Sequence, residues 1–121
     1  MTELPPDPFQ LPVVGGGELE ALLASSGPPV LLDFFATWCG PCAWIVPTLR
    51  ALSQEYGDRL TVVKVDVDTD AEVARHFRIG SVPTVVLWAQ GEEVGRSVGV
   101  EPKVVRGLVQ STIGPHSTRE G

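Results

Sequence analysis

The amino-acid sequence predicts an α/β domain in which helices cover both faces of a mixed central β-sheet. Short apolar runs rich in β-branched and aromatic residues alternate with segments whose apolar residues recur at helical spacing. The last two strand-like runs are separated by a short turn, which predicts an antiparallel hairpin in an otherwise alternating chain. A chain of 121 residues is long enough for one core, and it contains no internal repeat.

The first part of the chain predicts two strands with a helix between them. Residues 11–14 are consistent with a short first strand, and residues 18–24 form a helical pattern with leucines on one side. Serine, glycine and proline at 25–29 are expected to end that helix. The run Val-Leu-Leu-Asp-Phe-Phe at 30–35 then predicts a buried strand.

A long helix, a further strand and a short helix are predicted next. The long helix spans residues 40–56, with a kink expected at Pro47 and its end at Gly57. Valine-rich residues 61–67 predict a strand, and residues 70–77 predict a short helix.

The end of the chain predicts the hairpin and a closing helix. The hairpin strands are residues 83–89 and 93–98, with the turn at Gln90-Gly91. The closing helix covers residues 101–113. Its expected inward positions are Val104, Val105, Leu108 and Val109.

Composition limits the location and partners of the chain. The domain is expected at residues 11–114, between a disordered acidic, proline-rich leader (1–10) and a flexible tail (115–121). The net charge of −6 argues against binding to nucleic acid or anionic membranes, and no stretch approaches the roughly 20 apolar residues of a membrane span. The leader lacks the basic and apolar regions of a secretory signal, so we expect a cytoplasmic protein, and a monomer.

The only two cysteines lie in Trp38-Cys39-Gly40-Pro41-Cys42, at the junction of strand 30–35 and the long helix. Two thiols at this spacing can close and reopen one small disulfide ring, which makes them a two-electron switch. A zinc site is an alternative, but it needs about four ligands. His76, expected on the wet face of its helix, and His116 are not in ligand spacing with the cysteines. The pattern therefore indicates thiol–disulfide exchange.

The positions of the two cysteines at the start of the predicted helix indicate different roles for their thiols. Exchange requires a thiolate, and Cys39 is expected at the helix N-cap, where unpaired backbone N–H groups and the helix dipole stabilise an anion. Cys42 lies one turn further along, where it can attack a disulfide formed at Cys39. Gly40 permits close approach of a partner chain, and Pro41 stiffens the ring without costing a helix hydrogen bond. Cys39 is thus predicted to attack and Cys42 to resolve.

Several motifs, in the same order, resemble the thioredoxin family. They are residues 30–42 around the cysteines, Pro47, residues 63–68, residues 79–84, and Gly91 with Val98-Gly99. A Cys-x-x-Cys motif near a strand-to-helix junction is itself typical of this family. The resemblance implies a thioredoxin fold and protein-disulfide reduction, with no bound cofactor beyond the redox-active Cys39–Cys42 disulfide and with no metal.

Asp33 and Lys64 take roles from this resemblance. Asp33 would be the buried carboxylate that relays the proton of Cys42. An acid in an apolar strand is costly unless it is paired or its pKa is raised, which agrees with that role. A hydrogen-bonded turn residue is the alternative for Asp33, although its apolar neighbours disfavour it. Lys64 would be the cationic neighbour of Asp33, or simply a solvated strand lysine.

The docking surface is also taken from the resemblance. Val82-Pro83 matches the cis-proline of the family, which faces the disulfide; a trans proline at a strand start is the alternative. Each docking residue taken singly could instead belong to the core. The expected docking residues are Trp38, Gly40, Pro41, Val82, Pro83, Val98, Gly99 and Val100.

Three residues depart from the family pattern. Ala43 stands where lysine or arginine is frequent, which removes one source of thiolate stabilisation. Phe35 occupies a position that is usually tryptophan. Trp44 is expected either to pack inward or to add to the docking surface, and the sequence leaves both open.

The function predicted from the sequence is that of a general dithiol reductant of protein disulfides. The resemblance implies recycling by an NADPH-dependent thioredoxin reductase, with disulfide-containing proteins as substrates. Gly-Pro between the cysteines favours a reductant over a disulfide-forming or isomerising oxidant. A thioredoxin-fold subunit that holds a partner without turnover is a further alternative, and the intact Cys39, Cys42 and Asp33 argue against it.

Overall fold

The predicted mixed sheet is present in the computed structural model of the chain, which describes residues 11–115. Four strands lie in the order β2-β1-β3-β4. β1 runs parallel to β2 and antiparallel to β3, and β3 pairs antiparallel with β4. The strands are β1 (Val30–Phe35), β2 (Thr61–Asp66), β3 (Thr84–Ala89) and β4 (Glu92–Val98).

Helices cover both faces of this sheet, as predicted. Within the described residues they are α1 (Gly16–Ala24), α2 (Val46–Tyr56), α3 (Ala71–His76) and α4 (Pro102–Ile113), with short 3₁₀ helices at Pro41–Ile45 and Gly57–Arg59. Side chains of α2 and α4 pack in one core cluster, and side chains from α1 and the end of α3 pack in the other.

The alternation of side chains along β1 divides the core. Leu31 belongs to the cluster with α2 and α4, whereas Leu32 and Phe34 belong to the cluster with α1. Successive side chains of a strand point to opposite faces, so Asp33 shares the face of Leu31. The acid therefore lies on the side of the sheet that α2 and the cysteine segment cover.

The expected first strand at residues 11–14 is reduced to a single parallel bridge between Val13 and Lys64. Lys64 N–H donates to the carbonyl of Pro12 at 2.8 Å, and Val14 N–H donates to the carbonyl of Lys64 at 2.9 Å. Pro12 has no N–H to extend the ladder in one direction. Toward the C-terminus the ladder ends because α1 begins at Gly16, whose N–H donates to the Asp70 carboxylate at 2.9 Å.

The single long helix predicted over residues 40–56 is two elements. Pro41–Ile45 forms a 3₁₀ helix, and α2 begins only at Val46. Pro47 has no N–H with which to bond the carbonyl of Ala43, and Val46 N–H takes that carbonyl instead. The interruption therefore precedes the proline. The end at Gly57, whose φ is +55°, is confirmed.

The remaining elements match their predictions apart from a residue or two at the ends, within the usual uncertainty of helix and strand boundaries. In α4, Val105 and Val109 are buried and Leu108 packs against the same cluster, but Val104 is 45% exposed, so its predicted inward position is wrong. His76 is exposed, as expected.

The predicted leader lies outside the described residues, as does the predicted tail except for the exposed Pro115. No helix within the described part of the chain is long and apolar enough to cross a membrane.

Candidate active site

The two cysteines form a disulfide between β1 and α2, with their Cα atoms 5.5 Å apart. Cys39 is half-buried, whereas Cys42 is only 4% exposed. The burial of Cys42 follows from the 3₁₀ helix, which turns Cys42 and Ile45 toward the core. Only the first cysteine of the pair therefore meets the surface.

The prediction that Cys39 is the helix N-cap is wrong by one residue. Gly40 is the N-cap, with helical φ and ψ of −60° and −50°, and the helix it opens is 3₁₀ rather than α. Even so, the backbone N–H of Cys42 donates to Cys39 Sγ at 3.2 Å, which is the bond an N-cap side chain normally accepts. The sulfur thus receives an N–H donor at a slightly different backbone position.

The Val82–Pro83 peptide bond is cis, as the sequence predicts. The carbonyl oxygen of Val82 lies 3.7 Å from Cys39 Sγ, so this loop sits beside the exposed sulfur. Gly99 N–H donates to the carbonyl of Pro83 at 2.8 Å, which ties the end of the hairpin to the same loop. The predicted docking residues on the two loops are thus brought together.

The exposure of the predicted docking residues is uneven. Trp38 and Val98 are 70% and 58% exposed, and Gly40 and Pro41 are also exposed. Pro83 is buried, and Val100 packs against the core. Val82 and Gly99 are half-buried.

Asp68 is a residue of this site that the sequence analysis missed. Its carboxylate accepts a hydrogen bond of 2.8 Å from Nε1–H of Trp38, which holds the exposed ring in place. Asp68 follows β2, which pairs in parallel with β1, so both chain segments leave the sheet at the same edge. That topology is the signal that could have placed the two residues together.

Asp33 is fully buried in the middle of β1, and neither carboxylate oxygen has a hydrogen-bond partner within the described residues. Burial raises the pKa of Asp33 from 3.8 to about 6, and the charge of Lys64 opposes part of that rise. The alternative of a hydrogen-bonded turn residue is wrong, because the acid is unpaired and lies within a strand.

Lys64 lies directly opposite Asp33 in the parallel register of β1 and β2. Its ammonium is 4.2 Å from the centroid of the Phe35 ring and makes no hydrogen bond to the acid. Lys64 therefore lowers the pKa of Asp33 through space, while its own ammonium packs against an aromatic ring. Phe35 supplies that ring.

The part of the chain that the structure describes contains no cluster of side chains that could bind a metal ion. No group of three or more histidine, cysteine or acidic side chains comes together there. His116, one of the two histidines weighed as a zinc ligand, lies outside the described residues.

The thioredoxin family pattern matches residues 12–110. The chain belongs to the thioredoxin family. It is 49% identical over 79 residues to the thioredoxin of Mycobacterium bovis, covering 65% of this chain and 68% of that protein. Among solved structures, thioredoxin from Schistosoma mansoni superposes with a TM-score of 0.78 at 40% identity, covering 86% of this chain and 99% of the other.

A bifunctional thioredoxin reductase/thioredoxin of Mycobacterium leprae is also 49% identical over 79 residues. That match covers 65% of this chain but only 17% of the larger protein. Thioredoxins are protein-disulfide oxidoreductases, and this thioredoxin-family chain carries the active-site disulfide pair. Its chemistry is dithiol–disulfide exchange.

Proposed function

We propose that the chain reduces disulfide bonds of other proteins, with Cys39 as the attacking thiol and Cys42 as the resolving thiol. The difference in burial between the two cysteines carries this assignment: Cys39 meets the surface, and Cys42 is 4% exposed. A disulfide held in a protein can approach Cys39, whereas Cys42 is buried and bonded to Cys39.

In the first step the Cys39 thiolate attacks one sulfur of the substrate disulfide. A Cys39–substrate disulfide forms, the substrate S–S bond breaks, and the other substrate sulfur leaves as a thiolate. The N–H of Cys42, 3.2 Å from Cys39 Sγ, stabilises the attacking thiolate. This donor partly replaces the cation that is missing because residue 43 is alanine.

In the second step the Cys42 thiolate attacks Cys39 Sγ and releases the second substrate sulfur as a thiolate, which takes up a proton from solvent. Two electrons have then passed from the two protein thiols to the substrate, and the Cys39–Cys42 disulfide remains. The disulfide in the structure is this oxidised end state.

Asp33 is the proposed base for the second step, because a buried Cys42 thiol must lose its proton before it attacks. The acid faces the side of the sheet covered by α2, and its raised pKa of about 6 makes it a stronger base than an ordinary aspartate. Lys64 limits the rise and keeps the carboxylate ionised near neutral pH.

Substrate docking is proposed on the surface around Cys39. The Val82 carbonyl lies beside the sulfur, where it is available to a substrate backbone, and the exposed Trp38, Pro41 and Val98 supply apolar area. Pro83 and Gly99 shape the loops rather than present area, because Pro83 is buried and Gly99 is hydrogen-bonded to it.

Recycling is proposed to use an NADPH-dependent thioredoxin reductase, which makes the chain an electron carrier. The Mycobacterium leprae relative, whose name joins a reductase to a thioredoxin, supports this partner. The proposed location is the cytoplasm, where thioredoxin and glutathione systems keep thiols reduced. We propose that the chain acts as a monomer, which light scattering of the oxidised and reduced forms would test.

Coupled turnover tests the proposed function. The chain is supplied with NADPH, a thioredoxin reductase and insulin as the protein disulfide, and NADPH consumption is followed by absorbance. Insulin-dependent turnover is expected, and Cys39→Ser should abolish it. Val94→Ser, an exposed substitution in β4, should preserve it and serves as the matched control. Insulin binding without NADPH consumption would instead identify a binding subunit.

Trapping tests the division of roles between the thiols. Cys42→Ser should accumulate mixed disulfides through Cys39 when it meets disulfide proteins, because attack proceeds and resolution cannot. Cys39→Ser should trap almost none, since Cys42 is buried. Mass spectrometry locates the adducts, and comparable yields on Cys42 in the Cys39→Ser variant would overturn the assignment.

A further inference from the structure

We propose that Trp44 selects substrates by contacting an apolar side chain next to the attacked cysteine of the partner protein. The inference rests on the proposed function, since it names which protein disulfides the exchange site prefers. The sequence left the orientation of Trp44 open, and the structure shows it 68% exposed.

The 3₁₀ helix determines where Trp44 stands. A 3₁₀ helix has three residues per turn, so side chains three positions apart are aligned along its axis. Cys42 and Ile45 are both buried on one side of this helix, and Pro41 and Trp44 are both exposed on another. Trp44 therefore lies in line with Pro41, the residue between the two cysteines. In an α-helix the same two residues would be rotated relative to each other.

The Trp44 ring has no internal role that would explain its presence at the surface. Within residues 11–115 it makes no hydrogen bond and no aromatic contact, whereas Trp38 donates to Asp68 at 2.8 Å. A large indole left in water gains free energy when a partner covers it. The apolar area of Trp44 is thus available for binding.

The exchange reaction itself brings a partner to this surface. Attack places a substrate sulfur within bonding distance of Cys39 Sγ, so the residues beside the substrate cysteine must lie over the neighbouring side chains. On the segment that carries Trp44, the exposed residues Gly40, Pro41 and Ala43 are all uncharged. A charged substrate residue would lose water there without gaining an ion pair, whereas an apolar residue gains by burial. The preferred partner therefore carries an apolar residue beside its disulfide.

Two synthetic disulfide peptides test the preference without any reductase. They are identical except that leucine flanks the cysteines in one and serine in the other. The full chain is reduced in advance, and single-turnover rate constants are measured for both peptides. The wild-type chain should react faster with the leucine peptide, and Trp44→Ala should lower that preference by about three- to tenfold. Trp44→Phe should retain most of the preference, because it keeps an aromatic ring.

Val94→Ser is the matched control, because it removes an exposed apolar side chain from β4 and should leave the preference unchanged. Circular dichroism of Trp44→Ala checks the fold. Equal wild-type rates for both peptides, an unchanged preference in Trp44→Ala, or equal slowing of both peptides by that variant would overturn the inference. Failure of the wild-type chain to reduce either peptide would instead refute the proposed function.

Discussion

Asp33 is a carboxyl group in the middle of the sheet with no hydrogen-bond partner for either oxygen among the described residues. A rise of its pKa from 3.8 to about 6 means that the ionised form weakens the fold by about 3 kcal/mol relative to an exposed carboxylate. Lys64, held on the ring of Phe35 at 4.2 Å, offsets only part of the desolvation. Stability is thus lowered at the residue proposed as the base for Cys42.

Asp33→Asn should change how stability depends on pH. The unfolded chain loses the Asp33 proton near its ordinary pKa, and the folded chain only near a pKa of about 6, so wild-type stability falls as pH rises between the two values. The variant has no such proton. Its free energy of unfolding should therefore rise relative to wild type by about 2–3 kcal/mol between about pH 4 and pH 7. Denaturant titrations of the oxidised proteins measure this difference.

Ser97→Ala is the control for that measurement. Ser97 is 2% exposed, its hydroxyl is also unpaired within the described chain, and it lies one strand beyond Asp33 across Val85. Because serine does not ionise in this range, Ser97→Ala should shift stability equally at every pH. A pH-independent difference for Asp33→Asn as well would mean that burial does not raise the pKa of Asp33.

Single residues show where sequence reasoning succeeds and where it stops. The burial of Asp33 was predictable, because its neighbours in the strand are all apolar. The contact of Lys64 with Phe35 was not, since it depends on the register of two strands that are distant in sequence. The bond from Trp38 to Asp68 spans 30 residues and likewise needs the sheet topology.

At the scale of elements, α1 depends on a residue from another helix. Asp70 is the N-cap of α3, where a side-chain cap would be expected, yet it makes no such bond there. Its carboxylate instead accepts the N–H of Gly16 at 2.9 Å, at the start of α1. Gly15 permits this approach, because a Cβ at that position would clash with the Asp70 carboxylate. Sequence patterns assign a cap to the nearest helix and so miss this contact.

Gly15 and Asp70 should therefore be energetically coupled. Asp70→Ala should lower the free energy of unfolding by about 1 kcal/mol through loss of the cap, and Gly15→Ala should cost a similar amount because its methyl group displaces the carboxylate. The double variant should be little less stable than Asp70→Ala alone, since the clash has gone. Denaturant unfolding of all four proteins measures the coupling.

Glu20→Ala, at an exposed position of α1, is the control and should change stability by less than about 0.5 kcal/mol. Additive effects of Gly15→Ala and Asp70→Ala would show that the two residues act independently and that the carboxylate does not depend on the space left at Gly15.

The cysteine segment shows the same limit of sequence reasoning. Five residues, Pro41–Ile45, are too few for apolar spacing to distinguish three residues per turn from 3.6. The predicted kink at Pro47 identified the right cause, but the missing N–H acts on the carbonyl of Ala43, before the proline. The orientation of Trp44 depends on that difference, which is why the sequence left it open.

At the scale of the whole molecule, the mixed sheet and the helices on both of its faces were predictable, because strand-like and helix-like runs alternate and each is long enough to be recognised. The strand order β2-β1-β3-β4 was not predicted. The pairing of residues 11–14 and the exposure of Val104 were not predictable. Residues 11–14 pair through one bridge, because Pro12 lacks an N–H and α1 begins at Gly16. Val104 of α4 is 45% exposed although its neighbour Val105 is buried.

The net charge of −6 should act on charged partners before they reach the cysteine segment. At low salt the reduced chain should react about three- to tenfold faster with a cationic disulfide peptide than with an anionic one of equal length, when the charges lie far from the cysteines. Screening lengths shrink to a few ångströms near 1 M salt, so the two rates should then converge to within about twofold. Single-turnover rate constants across a salt series measure the effect. A difference that persists at high salt would place a charged contact at the interface itself and exclude long-range steering as its cause.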